Sequence, residues 1–495
     1  MISTIAISST PTLLCTVFIG YYIVQAVYNV FFHPLSKCPG FVVAKFSRLP
    51  SFYRACKGDR HLWIWQLHQI YGDKVRITPN EVLFLAPQAH RDIYGGKANV
   101  TRAKSYEAWD NNTGEPNTAL ATDMAVHARK RKILNQAFTD KALKDATIFM
   151  AYHIERWLDL LWCSWVVFDM LGDLCFGRSF EIKEPRPNPI REIPNHIETH
   201  LKIFYPILHS PFMESFVWAK PKGLDKLLHM ITPHDVKMYH KFIEDSVSQR
   251  ILEEKTSKDA ESSRQDIFHY LCAAKDPETG KAYTEEELRA EAIMLIVAGS
   301  NTIIAILAGF WFYISRNPSA HDKLTKEIRG TFNIDECLRI SPGGPSEFAR
   351  EVLPGGTTVN GECFPQGVVI GSAHWAMGHN EDIFGDPGRF RPERYIPSEA
   401  TGVTEDDVHR IKSYYKPFLI GPTNCVGQNV AVAEMALIIA KTMFRFELRA
   451  APGDTLGAGH PSLGWGRRDE RQFQVSDAYI TVHDGPILQF RKRTV

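Results

Sequence analysis

Phe418-Leu-Ile-Gly-Pro-Thr-Asn-Cys425-Val-Gly427 is the stretch of this 495-residue chain that decides the fold. It places Cys425 between Gly421 and Gly427, shortly before an apolar run, Val430 to Met443, that predicts a helix. A thiolate that ligates iron needs backbone N–H groups nearby, because these groups point at the sulfur and tune it. The two glycines allow the backbone to turn tightly and to approach a flat cofactor.

A cysteine between glycines is not diagnostic alone, because most lone cysteines are buried apolar residues. Here the segment resembles the haem-binding loop of the cytochrome P-450 superfamily, Phe-x-x-Gly-x-Arg-x-Cys-x-Gly. Four further segments match in the family's order, from about Phe31 to the C terminus. The resemblance implies that Cys425 is the axial thiolate ligand of haem b iron and that Phe418 shields its sulfur. Thr423 stands where the family has an arginine.

The N-terminal 36 residues carry no Asp, Glu, Lys or Arg, and Leu13 to Phe32 is almost wholly apolar. About 20 such residues cross a bilayer as a helix. A cleaved signal peptide is the alternative, but it has a basic start and a shorter apolar core. The first cations follow the apolar run, which predicts that the bulk of the protein is cytosolic. The resemblance implies a single-pass anchor in the endoplasmic reticulum membrane.

The domain boundaries predicted from this pattern are a short tail (1–10), a transmembrane anchor (11–32), a proline-containing hinge (33–50) and a single catalytic domain (51–495). Length alone allows two or three domains, but no linker divides the chain. The pattern is mainly α with a smaller β part, which agrees with the P-450 fold. Basic and acidic residues nearly cancel, 57 against 56, which argues against a nucleic-acid partner.

The longest apolar helix is predicted from Arg289 to Arg316. A second membrane span is the alternative, but the small and polar residues of Ala298-Gly299-Ser300-Asn301-Thr302 favour a site on a core helix. The segment resembles the family's distal oxygen-binding helix, Ala-Gly-x-Asp/Glu-Thr-Thr. The resemblance implies that Ala298 and Gly299 face the haem and that Thr302 handles the distal proton. Asn301 replaces the usual acid and, unlike a carboxylate, cannot exchange protons. Back-bonding of Thr302 to its own helix is the competing interpretation.

Glu336 and Arg339 lie at i and i+3, and such pairs are mostly solvated surface pairs. With Arg394 they resemble the family's buried network behind the haem, which is structural. The haem propionates need cations or donors. The resemblance implies His127 and Arg131 for this role, and Arg350 is a second candidate. Because Thr423 replaces an arginine, we expect weaker haem retention than in relatives, and a Thr423→Arg variant that holds haem no better would count against this.

A helical, strongly basic pattern runs from His127 to Leu143. Its cations Arg129, Lys130 and Lys132 predict either a solvated face or a docking surface for an acidic electron donor. A separate donor is required because the chain has no dinucleotide-binding fingerprint. The resemblance implies an NADPH-cytochrome reductase, with a cytochrome b-type protein as a further possible donor.

Two stretches are shorter than the resemblance leads us to expect: Lys144 to Phe168, and residues 330–335. The chain as a whole resembles membrane-anchored fungal monooxygenases that insert one atom of O2 into hydrophobic secondary metabolites such as polyketides, terpenoids or alkaloids. Two other functions remain open: a reductase-independent rearranging or dehydrating haem-thiolate enzyme, and a non-catalytic haem-binding protein. Substrate contacts are expected in three segments: Tyr106–Ala121, Phe204–Val217 and Ile293–Ile304.

Overall fold

A computed structural model describes residues 2–109, 115–160, 163–256, 265–318, 320–321 and 334–493. Helices dominate these residues, as the sequence pattern predicts. The helices are α1 (Ile2–Val27), α2 (Val42–Phe46), α3 (Leu49–Cys56), α4 (Arg60–Tyr71), α5 (Pro87–Tyr94), α6 (Met124–Gln136), α7 (Asp140–Leu158), α8 (Cys163–Phe176), α9 (Ile193–His209), α10 (Met213–Ala219), α11 (Leu224–Ile231), α12 (His234–Thr256), α13 (Ile267–Ala273), α14 (Glu285–Arg316), α15 (Asp335–Ile340), α16 (His374–Gly378), α17 (Glu381–Phe384), α18 (Glu405–Tyr414) and α19 (Gln428–Arg445).

The β part consists of one five-stranded mixed sheet and three two-stranded ribbons. In the sheet the strand order is β1-β2-β7-β4-β3, with β2 and β7 parallel and the other neighbours antiparallel. The ribbons pair β9 with β10, β8 with β11, and β5 with β6. The strands are β1 (Lys74–Thr78), β2 (Glu81–Phe84), β3 (Val100–Arg102), β4 (Arg350–Val352), β5 (Thr357–Val359), β6 (Glu362–Phe364), β7 (Val369–Ser372), β8 (Phe446–Ala450), β9 (Val475–Ala478), β10 (Ile480–His483) and β11 (Leu488–Lys492).

The long helix α14 is the centre of the core and packs against α8, α12, α15 and α19. It begins with a capping box, in which Thr284 accepts from the Glu287 N–H at 3.2 Å and the Glu287 carboxylate accepts from the Thr284 N–H at 3.0 Å. Among the described helices it passes the length and hydropathy criteria for a membrane span. Two thirds of its most apolar stretch is nevertheless buried in protein, so it is a core helix.

Helix α1 begins at Ile2, so the predicted tail of residues 1–10 is helical from its second residue and continuous with the predicted anchor. Its apolar side chains are exposed, for example Phe18 at 59% and Val24 at 69%. The apolar helical stretch Thr16–Phe32 is shorter than a full bilayer span by itself. The anchor at 11–32 therefore stays a prediction.

The prediction of one continuous helical pattern from His127 to Leu143 is wrong, because the structure has two helices there. Helix α6 ends at Gln136, and α7 begins at Asp140, because Thr139 caps α7 by accepting a hydrogen bond from the Ala142 N–H at 3.3 Å. The Lys144–Phe168 stretch holds most of α7 and the start of α8. Residues 330–333, the main part of the second short region, lie outside the described residues.

A buried ionic network fixes α15 behind the cavity described below. The Glu336 carboxylate accepts two hydrogen bonds from Arg339, each 2.8 Å long, and one from Arg394 at 3.2 Å. All three side chains are at most 4% exposed. The second guanidinium edge of Arg339 donates to the backbone carbonyls of Gly378 at 2.7 Å and Pro387 at 2.9 Å. The network thus ties α15 to the two segments that precede the cysteine loop.

Replacing Glu336 with alanine should strongly destabilise the fold, because it leaves two buried guanidinium groups without their anion. Breaking a buried ion pair in this way costs about 3–5 kcal/mol. The matched control is Asp335→Asn on the same helix, which removes an exposed pair with Lys412 at 2.8 Å and should cost about 1 kcal/mol or less. Urea unfolding of both variants, followed by far-ultraviolet circular dichroism, measures the difference. Equal midpoints for the two variants would contradict the structural role of the network.

Candidate functional site

A cavity of about 340 Å³ lies between α14 and the loop that precedes α19. Its wall is largely apolar, with polar groups confined to a few positions. The loop contributes Phe418 and Cys425, and α14 contributes Ala298, Gly299 and Thr302. The structure therefore places most of the predicted site residues on one surface.

The thiol of Cys425 faces this cavity. The Cys425 N–H donates to the Phe418 carbonyl at 2.9 Å, which closes the loop around the sulfur. Burial raises the pKa of Cys425, while the Gly427 N–H and the Arg131 guanidinium oppose this shift. A metal ion at the sulfur would favour the thiolate.

The two loop glycines serve different purposes. Gly421 has a φ of +70°, and a Cβ atom at this position would lie 2.0 Å from the Tyr94 carbonyl oxygen. Gly427 has a φ of −83°, so no turn requires glycine there. The nearest protein atom to a Cβ at Gly427 would be 3.8 Å away, in Phe138. The missing side chain at Gly427 leaves open space in the cavity wall, as a flat ligand requires.

Three arginines and a histidine line one part of the cavity: Arg102, Arg131, Arg350 and His127. Arg102 and Arg350 are direct partners in the β3–β4 register, where like charges repel. Burial, then the charge of Arg350, lowers the pKa of Arg102 to about 10. Burial and the same three arginines lower the pKa of His127 to about 3. Its ring is therefore neutral, and its Nε2 is buried without a hydrogen-bond partner.

Hydrogen bonds hold two of these arginines against the cysteine loop. Arg131 donates to the Asn424 carbonyl at 2.6 Å and to the Asn424 side-chain oxygen at 2.7 Å. Arg350 donates to the Thr423 hydroxyl at 2.9 Å. Thr423, at the position of the family's arginine, is thus an acceptor for a cation that comes from β4. Arg102 was not identified from the sequence, because only the pairing of β3 with β4 brings it to the cavity.

The residues of the cavity fit a haem group. Repelling guanidinium groups and an orphaned imidazole nitrogen need an anionic acceptor, which two propionates would supply. The apolar wall fits a macrocycle, and the Cys425 thiol supplies an axial ligand for its iron. The same cavity provides all three features.

On α14, Thr302 lines the cavity but Asn301 does not. The Thr302 hydroxyl donates to the Ala298 carbonyl at 2.6 Å, which is the back-bonding that competes with a role in proton handling. Asn301 is 5% exposed, and its side-chain oxygen accepts from the Ser300 hydroxyl at 3.0 Å. The structure does not bring Asn301 to the site. Gly299 lets α14 approach α8, because a Cβ there would lie 2.9 Å from Leu171.

The cations Arg129, Lys130 and Lys132 do not form the free basic surface that the sequence suggested. Lys130 is completely buried and donates to the Pro116 carbonyl at 2.6 Å. Arg129 pairs with Glu287, and Lys132 pairs with Glu278 at 2.5 Å. The prediction of a docking surface made of all three residues is wrong, because Lys130 is inaccessible and Arg129 is paired with the buried Glu287, while Lys132 makes an exposed pair with Glu278.

The chain belongs to the cytochrome P450 family, whose model matches residues 46–333 and 331–458. Its relatives include the cytochrome P450 monooxygenases fscF of Fusarium equiseti (32% identical; 99% of this chain and 98% of the relative), AKT7 of Alternaria alternata (29%; 98% and 98%) and poxM of Penicillium oxalicum (29%; 99% and 96%). The family and these relatives identify the chain as a fungal-type P450 monooxygenase, which is an oxidoreductase.

The comparisons also locate a difference in length. The alignment with fscF spans 534 positions, 39 more than the 495 residues of this chain, so the relative has residues that this chain lacks. The family match breaks into two pieces that meet at residues 331–333. This break falls in the second of the two stretches that the sequence analysis found short.

Changing Arg131 to glutamine should weaken haem retention, because it removes a charge-assisted donor at the cavity. Hydrogen bonds to charged groups contribute about 1.5–3 kcal/mol, so haem transfer to apomyoglobin should become about 10- to 100-fold faster. Lys132→Gln is the matched control, since that ammonium group is outside the cavity wall. The absorbance change on transfer gives both rates. If the two variants release haem equally fast, Arg131 does not hold it.

Proposed function

We propose that this chain is a haem-thiolate monooxygenase that inserts one atom of O2 into a hydrophobic small molecule, a fungal secondary metabolite such as a polyketide, terpenoid or alkaloid. One observation carries the proposal. The Cys425 thiol and the Thr302 hydroxyl line a single apolar cavity that also contains three arginines, none of which has a carboxylate partner among the residues that the structure describes. Family membership and the fungal monooxygenases among its relatives support the same activity.

Haem b, when bound, supplies the redox chemistry that activates O2. Cys425 would be the ligand of its iron and would supply electron density to it, while the loop N–H groups would limit how basic the sulfur becomes. Arg102, Arg131 and Arg350 would hold the propionates, and neutral His127 would offer them a donor from Nε2.

Thr302 accepts hydrogen bonds in the cavity, because its own hydrogen is committed to Ala298. It can therefore hold a water molecule or a protonated oxygen atom near the wall of α14. Substrate contacts come from two of the three expected segments, with Tyr106, Thr118 and Met294 in the cavity wall. The Phe204–Val217 segment does not line the cavity, and Phe204 instead stacks on Trp109.

Electrons would come from a separate NADPH-cytochrome reductase, or from a cytochrome b-type donor, in the endoplasmic reticulum membrane. The apolar N-terminal helix supports a single-pass anchor with a cytosolic catalytic domain. The acceptor surface for that donor is not the cluster Arg129, Lys130 and Lys132, for the reason given above. An apolar substrate pocket is consistent with substrates that partition into membranes.

Cys425→Ser should abolish the red-shifted Soret band that a thiolate–haem–CO complex shows after reduction with dithionite. Cys175→Ala is the matched control, since Cys175 is the other thiol that lines the cavity. It should keep the shifted band. Carbon monoxide difference spectra of the full chain in microsomes measure this. An unshifted band in the wild type would reject thiolate ligation, and a shifted band in Cys425→Ser would assign it to another cysteine.

In Thr302→Ala, more of the reduced oxygen should be released as hydrogen peroxide and less as water. The reason is that this variant lacks the hydroxyl that would hold a water molecule for protonation. Loss of a positioned proton-transfer group lowers the reaction rate about 10²- to 10⁴-fold. The fraction of reduced O2 that yields water should therefore fall at least about tenfold. Thr302→Ser, which keeps the hydroxyl, should stay near wild type. NADPH, O2 and peroxide are measured with added reductase. If the ratio of water to hydrogen peroxide is unchanged in Thr302→Ala, the Thr302 hydroxyl has no role in proton handling beyond its hydrogen bond with Ala298.

Turnover of substrate without reductase would instead indicate a rearranging or dehydrating enzyme.

A further inference from the structure

Two tyrosine hydroxyls meet in the wall of the cavity. Tyr106 follows β3 and Tyr479 lies between β9 and β10, and both side chains line the cavity. Their hydroxyl oxygens are 3.0 Å apart, and their rings are nearly perpendicular, at 89°. A hydrogen bond between two phenols uses the hydrogen of one of them. The pair therefore keeps one hydrogen for another acceptor.

The backbone holds Tyr479 in place. Its φ is +71°, in the left-handed region that residues with bulky side chains rarely adopt. The Asp477 carboxylate stabilises this turn, because it accepts from the Tyr479 N–H at 3.1 Å. The same carboxylate accepts from the Ser346 hydroxyl at 2.6 Å and from the Tyr205 hydroxyl at 2.8 Å. Strained backbone that several contacts hold in this way is concentrated at ligand-binding and active sites.

The pair belongs to the same wall of the cavity as Thr302. Gly343 packs directly against α14, since a Cβ atom there would lie 2.8 Å from the Thr302 Cβ. Its neighbour Gly344 packs on the turn between β9 and β10, since a Cβ atom there would lie 3.4 Å from the Tyr479 carbonyl oxygen. The Thr481 N–H donates to the Gly343 carbonyl at 2.9 Å and joins the turn to this segment. Protein contacts thus run without a break from Thr302 to Tyr479, so a bound cofactor cannot stand between them along this wall.

The threonine hydroxyls near α14 have no hydrogen to offer. Thr302 donates to the Ala298 carbonyl at 2.6 Å, and Thr118 donates to the Glu291 carboxylate at 2.9 Å. Among the described hydroxyl groups on this side of the cavity, the tyrosine pair is therefore the one that can donate to a ligand.

The pair also borders a smaller, polar cavity of about 20 Å³, whose wall includes Ser346 and Glu347. That space holds about one water molecule, which can accept the remaining hydrogen when the main cavity contains no ligand. An oxygen atom of a ligand has to compete with this water. The expected gain in affinity is therefore that of one ordinary hydrogen bond.

We propose that Tyr106 and Tyr479 select substrates with an oxygen acceptor, such as a carbonyl group, by donating a hydrogen bond to it. In a largely apolar wall, one fixed donor orients the substrate relative to Thr302. A site with such a donor discriminates against analogues that lack the acceptor. The favoured class is thus a neutral, oxygenated skeleton of the polyketide type rather than a hydrocarbon terpene. The arginines of the cavity disfavour a protonated alkaloid. This inference rests on the proposed monooxygenase function and names its substrate class.

Two matched probes test the proposal. Fluorenone and fluorene share one flat, apolar skeleton, but only fluorenone has a carbonyl oxygen. The full chain in detergent is titrated with each probe, and the spin-state shift of its haem spectrum gives the two dissociation constants. Wild type should bind fluorenone more tightly than fluorene.

The decisive variant combines Tyr106→Phe with Tyr479→Phe, because it removes both hydroxyls at nearly constant volume. Its preference for fluorenone over fluorene should fall about 2- to 10-fold, while its affinity for fluorene should stay that of the wild type. Tyr415→Phe is the matched control, since the Tyr415 hydroxyl is buried, donates weakly to the Leu338 carbonyl at 3.4 Å and is outside the cavity wall. It should keep the wild-type preference.

Haem retention separates a substrate oxygen from a propionate oxygen as the acceptor. The double variant should transfer haem to apomyoglobin at the wild-type rate, because the arginines and His127 hold the propionates. Faster transfer would assign the phenols to a propionate and would overturn the inference, as would an unchanged preference for fluorenone. A wild-type chain that lacks the red-shifted carbon monoxide band would instead reject the proposed function.

Discussion

The Glu336 carboxylate is the interaction on which the arrangement of the site depends. It binds Arg339 and Arg394 where all three side chains are almost completely buried, and Arg339 in turn donates to the backbone carbonyls of Gly378 and Pro387. Charges so deeply buried are tolerated only when each has its partner and further hydrogen bonds. These contacts form only when α15 and the segments around it are in their final positions. The network therefore couples the position of α15 to that of the segments around Gly378 and Pro387.

The charged groups of the cavity lie apart from the Cys425 thiol. Cations gather where β3 and β4 meet, and the pairing of Arg102 with Arg350 leaves like charges opposite each other. Such a pairing is unfavourable in the isolated protein and becomes favourable when an anionic group binds between them. The thiol of Cys425 faces the remaining, apolar part of the wall. The repulsion between Arg102 and Arg350 thus lowers the stability of the cofactor-free protein, and an anionic cofactor bound between them would remove this repulsion.

Much of the fold follows from patterns in the sequence. The apolar sequence on both sides of Asn301 is long enough to identify α14. The break between α6 and α7 was missed because the basic pattern continues through it, while the Thr139 cap is a local signal that competes with periodicity.

The sequence by itself determined the loop around Cys425, the long helix with Thr302 and the family to which the chain belongs, because spacing along the chain is sufficient to define these motifs. Only the tertiary structure decided what each polar side chain contacts. Lys130 became buried, Asn301 turned away from the cavity, and Arg102 joined it through strand pairing across some 250 residues. Periodicity reports which face of a helix is apolar, but the partners of a charge come from distant segments. Their identity depends on packing that no local pattern contains.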